Sequence, residues 1–160
     1  MSGKMRVSDL TFFIYNSQFG QITIASNGKQ ITSVSLGAKK MSGTFTPTKL
    51  TNECSTQILQ FLSGDRKRFN IPILLQGTEF EKEVWRGLFK TGYGCTVTPM
   101  QLAHLIGKDN TYRNIPKAAY ANKHSILIPD YRLLPASKFE KPSQESKVRM
   151  ALRKIESKFL

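Results

Sequence analysis

"TPMQLAHLIGKDNTYRNIPKAAYANK", residues 98–123, is the stretch on which the fold turns. Thr98 is a side chain that caps helices by accepting from their orphan N–H groups, and Pro99 suits the first helical position with its fixed φ. The helix these residues start is expected to stop at Gly107. A short polar turn, "KDNT", leads into a second helix over "YRNIPKAAYANK". Helix, tight turn and helix in a basic chain is the pattern of a DNA-binding helix-turn-helix. One residue disturbs it. If the second helix begins near Thr111, Pro116 falls about one turn in, where it must kink the helix or push its start later.

Immediately upstream, "TEFEKEVWRGLFK" (78–90) opens with Thr78 and has Glu81 three residues on, a capping box. Phe80, Val84 and Leu88, with Trp85 beside them, give this helix its apolar face. Downstream, "ILIPDYRLL" (126–134) reads as a buried strand whose Pro129 delivers Asp130, Tyr131 and Arg132 at its end, where reactive side chains are often displayed. After the loop "PASKFEKP" (135–142), a last helix starts at Ser143 with Val148, Leu152, Ile155 and Phe159 along one side.

Before residue 78 the character is different. "TFFIYNSQFGQITIASNGKQITSVSLG" (11–37) holds three short β-type runs, with Asn27-Gly28 as a hairpin turn, and predicts an antiparallel meander. "KKMSGTFTPTKL" (39–50) reads as a polar loop. "NECSTQILQFLSG" (52–64) reads as a helix burying Cys54, Ile58, Phe61 and Leu62, and "RKRFNIPILL" (66–75) as one more strand. The expected class is α/β, in the α+β sense: a sheet domain over 1–77 and a helical domain over 78–160.

The chain has 24 basic and 11 acidic residues, a formal charge of +13. Residues 1–77 carry 9 basic and 3 acidic side chains, and residues 78–160 carry 15 and 8, so the excess is not a tail. A field of that sign favours a polyanion, most simply nucleic acid. Cys54 and Cys95 are far apart and without metal spacing, as suits a reducing interior; His104 and His124 lack ligand partners at spacing. No metal and no cofactor are expected. The apolar runs are too short to span a bilayer and no signal-peptide pattern appears, so an intracellular monomer is expected, in the cytoplasm, or in the nucleus of a eukaryote.

Taken together these segments resemble the O6-alkylguanine-DNA alkyltransferase family over nearly the whole chain. The resemblance rests on "FGQITIASNGKQITSV", on "QILQFLSGDRKRFNIPILLQGTEFEKEVW", on the turn "GYGCT", and on a helix-turn-helix followed by an Arg, an Asn and the segment ending in "IPDYR". It implies a ribonuclease H-like sheet domain and a winged-helix-like domain carrying the helix-turn-helix. It also implies chemistry: a flipped base gives its alkyl group to a cysteine thiolate activated through a His and a Glu. Here the cysteine position is Asp130, the histidine position is Tyr131, and the glutamate, placed early in the last helix, corresponds to Val148. A carboxylate is a poor nucleophile toward an alkyl carbon, so no catalytic residue is expected.

What the resemblance leaves is binding, as in the alkyltransferase-like proteins, which lack the cysteine and hand the lesion to other repair machinery. Arg113, 17 positions before Asp130, corresponds to the arginine that fills the gap left by the flipped base, and Asn122 lies 8 before it. The DNA-facing set is then Arg113, Asn114, Lys117, Thr98 and Arg132, and the base pocket Asn122, Pro129, Asp130 and Tyr131. Duplex DNA, alkylated or not, is the expected partner, with a repair protein as a second. Three departures run against this. Pro99 replaces a tyrosine that helps to rotate the nucleotide; Pro116 and Lys117 stand where small residues are usual; "PASKFEKPSQES" lacks the glycines of the loop over the base. Two alternatives stay open: a degenerate paralogue acting through protein contacts, with Asp130 capping a turn or paired with Arg132 and Tyr131 filling the vacated pocket, and an alkyltransferase with an unanticipated acceptor.

Overall fold

A computed structural model describes residues 9–134 and 143–160. Two compact units divide the chain. The first runs to Leu75 and takes back Lys123–Leu127; the second comprises Gln76–Asn122 and Ile128–Leu160.

In the first unit, β1 (Thr11–Ser17), β2 (Gly20–Ser26) and β3 (Ile31–Leu36) form the antiparallel meander expected from the sequence. Gly20 and Gly28 make the two turns at positive φ, which a residue with a Cβ adopts only under strain. The sheet has a fourth strand that the polar composition of 39–50 concealed. β4 (Thr44–Phe45) pairs parallel to β1, giving the order β3-β2-β1-β4. The meander's pleat sets Phe13 opposite Ile24 and Tyr15 opposite Ile22, and both isoleucines are buried. α1 (Lys49–Leu62), capped by Thr48, buries Cys54, Ile58, Phe61 and Leu62, the face anticipated from periodicity. Tyr15 ties the sheet to it, its hydroxyl donating to Asn52 Oδ1 at 2.7 Å and lying 2.8 Å from the Thr51 hydroxyl.

Two expected strands are absent as strands. Of "RKRFNIPILL" only Ile73 pairs, in a single parallel bridge to Ile31, because Pro72 has no N–H to extend the ladder. "ILIP" is buried but turns. The residues just before it are held to β3 by Val34 N–H to Lys123 O and Ser125 N–H to Val34 O, and Ile126 then takes φ 76°. A β-branched residue in the left-handed region costs about 1–2 kcal/mol, which its complete burial offsets. The reversal sends the chain into a short 3-10 helix over Asp130–Arg132.

In the second unit α2 (Glu79–Lys90) has the predicted Thr78/Glu81 capping box, with 3.1 and 2.8 Å contacts. Trp85 is in the core and its indole N–H donates to Ala118 O at 3.1 Å. α3 (Pro99–Leu105) is capped by Thr98 and ended by Gly107 at φ 74°. Gly87 lets it come close: a Cβ there would stand 2.9 Å from side-chain atoms of both Leu102 and Ile106. The second helix of the pair resolves the Pro116 question. Asp109–Asn114 winds as a 3-10 helix and α4 begins only at Ile115, ending at Tyr120, so Pro116 lies in the first turn, where its missing N–H is harmless. α5 (Gln144–Lys158) starts from the Ser143 cap. Among the described residues, no helix is long and apolar enough to cross a membrane.

Candidate nucleic-acid and base-recognition site

The 3-10 helix Asp130–Arg132 lies wholly in the second unit and is fixed there on every side. Val97 N–H donates to Arg132 O and Leu134 N–H to Val97 O, both at 2.8 Å. From the end of α4, the Asn122 amide spans the turn, donating to Ile128 O and to Asp130 Oδ2, each at 3.3 Å. From α5, Arg153 donates to Tyr131 O at 3.1 Å. Asn122, Pro129, Asp130 and Tyr131 are thus adjacent, as the expected pocket requires.

Asp130 keeps partial exposure, yet its carboxyl is sunk enough that burial pushes its pKa up to about 6. Arg149, the Asn122 amide, the Tyr131 backbone N–H and Arg153 all pull the other way. At neutral pH the group is therefore mostly a carboxylate. It is not paired with Arg132, as one alternative had it.

Arg132 is committed elsewhere. It is only 8% exposed, and Glu156, 2% exposed, takes its guanidinium: Nε lies 3.0 and 3.2 Å from the two carboxylate oxygens and Nη2 lies 2.8 Å from Oε2. Nη1 donates to Thr91 O. Glu156 also accepts from Tyr131 Oη at 2.6 Å and from Gly94 N–H at 2.8 Å. Two expectations change as a result. Arg132 cannot be a DNA contact, because its donors are spent inside the unit. The carboxylate that meets Tyr131, the side chain at the position the resemblance gave to the histidine, belongs to Glu156, whereas the resemblance had placed the glutamate at Val148.

Burial and the Glu156 charge hold the Tyr131 phenol well above its ordinary pKa, so it does not ionise to act as a base. A signal for Glu156 existed in the sequence. Val148, Leu152 and Glu156 recur every four residues on one stripe of α5, all three buried, and an acid on an apolar stripe demands a partner.

The remaining predicted contacts are mostly at the surface. Arg113, Asn114 and Lys117 are exposed at the junction of the 3-10 helix and α4. Arg113 Nε lies 3.0 Å from Tyr112 Oη, and its guanidinium lies 5.4 Å from that ring's centre. Thr98 is half-buried and its hydroxyl is occupied, accepting from Gln101 N–H at 3.1 Å. Neither cysteine replaces the missing thiol. Cys54 is fully buried in the first unit, its thiol pushed up to about 12 by burial, and Cys95 is exposed in the turn before α3. Among the described residues no cluster of His, Cys, Asp or Glu could hold a metal ion. The loop expected over the base, 135–142, falls outside the described residues.

Comparison with known proteins agrees with this geometry. The model of the 6-O-methylguanine DNA methyltransferase DNA binding domain matches residues 79–158, and that of the ribonuclease-like domain matches residues 11–75. A methylated-DNA–protein-cysteine methyltransferase of Methanosarcina barkeri is 30% identical over 126 residues, covering 76% of this chain and 80% of its own. The inducible methyltransferase of Bacillus subtilis is 29% identical over 132 residues, covering 79% and 72%. Among solved structures, the O6-methylguanine methyltransferase of Mycobacterium tuberculosis superposes with a TM-score of 0.85 at 23% identity, over 94% of each chain. An OGT structure from that organism in complex with DNA gives 0.83 at 23%, over 93% and 94%. A mixed α/β chain with this sheet unit and this DNA-binding domain has the architecture of the alkyltransferase class. It belongs to the 6-O-methylguanine DNA methyltransferase family.

Proposed function

We propose that the chain is a DNA-binding member of this family that recognises altered duplex without accepting an alkyl group. The observation that carries this reading is the identity and the surroundings of residue 130. A thiolate acceptor needs sulfur and a base that takes its proton; Asp130 offers oxygen, and Tyr131 beside it holds its own proton against Glu156 at 2.6 Å. The carboxylate that would orient an imidazole is instead saturated by Arg132, Tyr131 and Gly94. Binding features persist. The two-helix motif is kept with its second helix starting late at Ile115, Arg113, Asn114 and Lys117 stand exposed at that start, and the chain carries +13. The DNA complex of the Mycobacterium tuberculosis relative supports the same use of the domain. Double-stranded DNA is the partner on this reading, the protein acts without a cofactor, and handing the lesion to a repair protein is its biological output.

Fluorescence titration of a duplex oligonucleotide at two salt concentrations tests the binding. The affinity is expected to fall steeply with salt, and Arg113→Ala to weaken it by about tenfold. Absence of any binding at low salt would refute the reading. In parallel, the protein incubated with O6-methylguanine duplex is expected to keep its mass; a gain of one methyl group would show a working acceptor.

A further inference from the structure

We propose that the outer face of α2, together with the C-terminal end of α3, is a docking cleft for a partner protein, and that it takes an amphipathic segment whose apolar side chain is flanked by carboxylates. The inference rests on the function proposed above only in supposing that a partner protein exists. Glu83, Arg86, Gly87 and Lys90 recur at i, i+3, i+4 and i+7 of α2 and so lie along one face, while Val84, Trp85 and Leu88 are turned into the core. Leu105 and Ile106, at the end of α3, form the opposite wall of a cleft of about 300 Å³. Gly87 gives the cleft its depth, since a Cβ there would stand 2.9 Å from side-chain atoms of Leu102 and Ile106. Leu105 is 53% exposed, a large apolar side chain left open beside a rim of charged groups.

The rim determines which kind of segment fits. Its carboxylate, Glu83, is spent on Lys108, whose Nζ lies 3.1 Å from Glu83 Oε2 and 5.9 Å from the centre of the Phe80 ring. Arg86 and Lys90 are exposed, and among the described residues no carboxylate pairs with either. The cleft therefore sets two uncompensated positive charges beside an apolar wall. A segment with carboxylates on either side of a leucine or phenylalanine answers both features. A DNA backbone would use the charges alone, because phosphates are met by polar groups, and Leu105 would be left without a contact. A second copy of this chain fits less well, since its own charge of +13 sets like against like at the rim.

The probes are two labelled synthetic helical peptides with the same stripe of leucines, one flanked by glutamates and the other by lysines, titrated by fluorescence anisotropy. The wild-type protein is expected to bind the glutamate peptide at least about tenfold more tightly than the lysine peptide. Arg86→Glu with Lys90→Glu is expected to erase that preference, whereas Lys39→Glu with Lys40→Glu, the same change of net charge on the first unit, leaves it. Leu105→Ser is expected to weaken the glutamate peptide by about tenfold and to leave duplex DNA binding as it is. Equal affinities for the two peptides, no binding of either, or equal effects of the two charge reversals overturn the inference. So does a loss of duplex binding on reversal of Arg86 and Lys90 as large as that of Arg113→Ala, which would make this face a DNA contact. Self-association of the wild type that Leu105→Ser abolishes overturns it as well, by making the occupant a second copy. Peptide binding as expected without any duplex binding at low salt would keep this inference and overturn the reading above.

Discussion

Glu156→Gln is expected to lower the unfolding free energy of the second unit by about 3–5 kcal/mol, the cost of leaving a buried guanidinium without its counter-charge. The carboxylate receives four groups: Tyr131 Oη, the Arg132 Nε and Nη2 donors, and Gly94 N–H. Glutamine keeps the volume but loses the charge, and its amide nitrogen must face at least one of these donors. Arg132 then keeps Thr91 O and at most the single amide oxygen of glutamine as acceptors, with no charge to balance its own. Urea unfolding measures the loss. Arg132→Met together with Glu156→Leu removes both charges and is expected to recover most of it, since a buried pair is worth little more than apolar residues of similar volume. If the double variant proves no more stable than Glu156→Gln, the pair is not what holds this turn.

The same carboxylate marks the limit of what could be read from the sequence. Local rules carried the caps at Thr78 and Thr98, the glycine stop at Gly107, the hairpins and the buried face of α1, because each depends on a few neighbouring residues. Where the outcome depended on distant chain, local rules failed. β4 is two residues long and exists because β1 offers an edge; nothing in "GTFT" announces it. "ILIP" has the composition of a strand, but the residues just before it are claimed by β3 and the chain then reverses at Ile126. The placement of Pro116 was decidable only as a choice, and a 3-10 segment absorbed it. Glu156 lies 26 residues after Asp130, and only its place on the apolar stripe of α5 pointed inward. Residues at the helix-turn-helix surface were legible because exposure follows from helix period, whereas the burial of Arg132 follows from a partner that sequence reasoning had put at Val148.

Asp130→Asn is expected to stabilise the protein at neutral pH, by about 2–3 kcal/mol, even though it alters the residue at the heart of the site. Burial raises the folded-state pKa of Asp130 from 3.8 to about 6. Between those two values the folded state binds a proton that the unfolded state has released, so stability falls as pH rises through that window. Above it the folded protein carries a buried charge whose net cost is about 3 kcal/mol, from roughly two units at about 1.4 kcal/mol each. Asparagine resembles the protonated acid: its oxygen can still accept from the Asn122 amide, and it carries no charge to desolvate. The gain is therefore expected to be largest at pH 7, to shrink as pH drops through 6, and to vanish below about pH 3, where wild type is protonated in both states. Urea unfolding of both proteins across that range provides the measurement. A variant that is less stable than wild type at pH 7 would mean that Arg149 and Arg153 hold the carboxylate more tightly than burial opposes it, and that the charge is structural. A gain that follows the pH window would instead identify Asp130 as a charge kept at a cost to the fold, which is what a residue retained for contact with a ligand should look like.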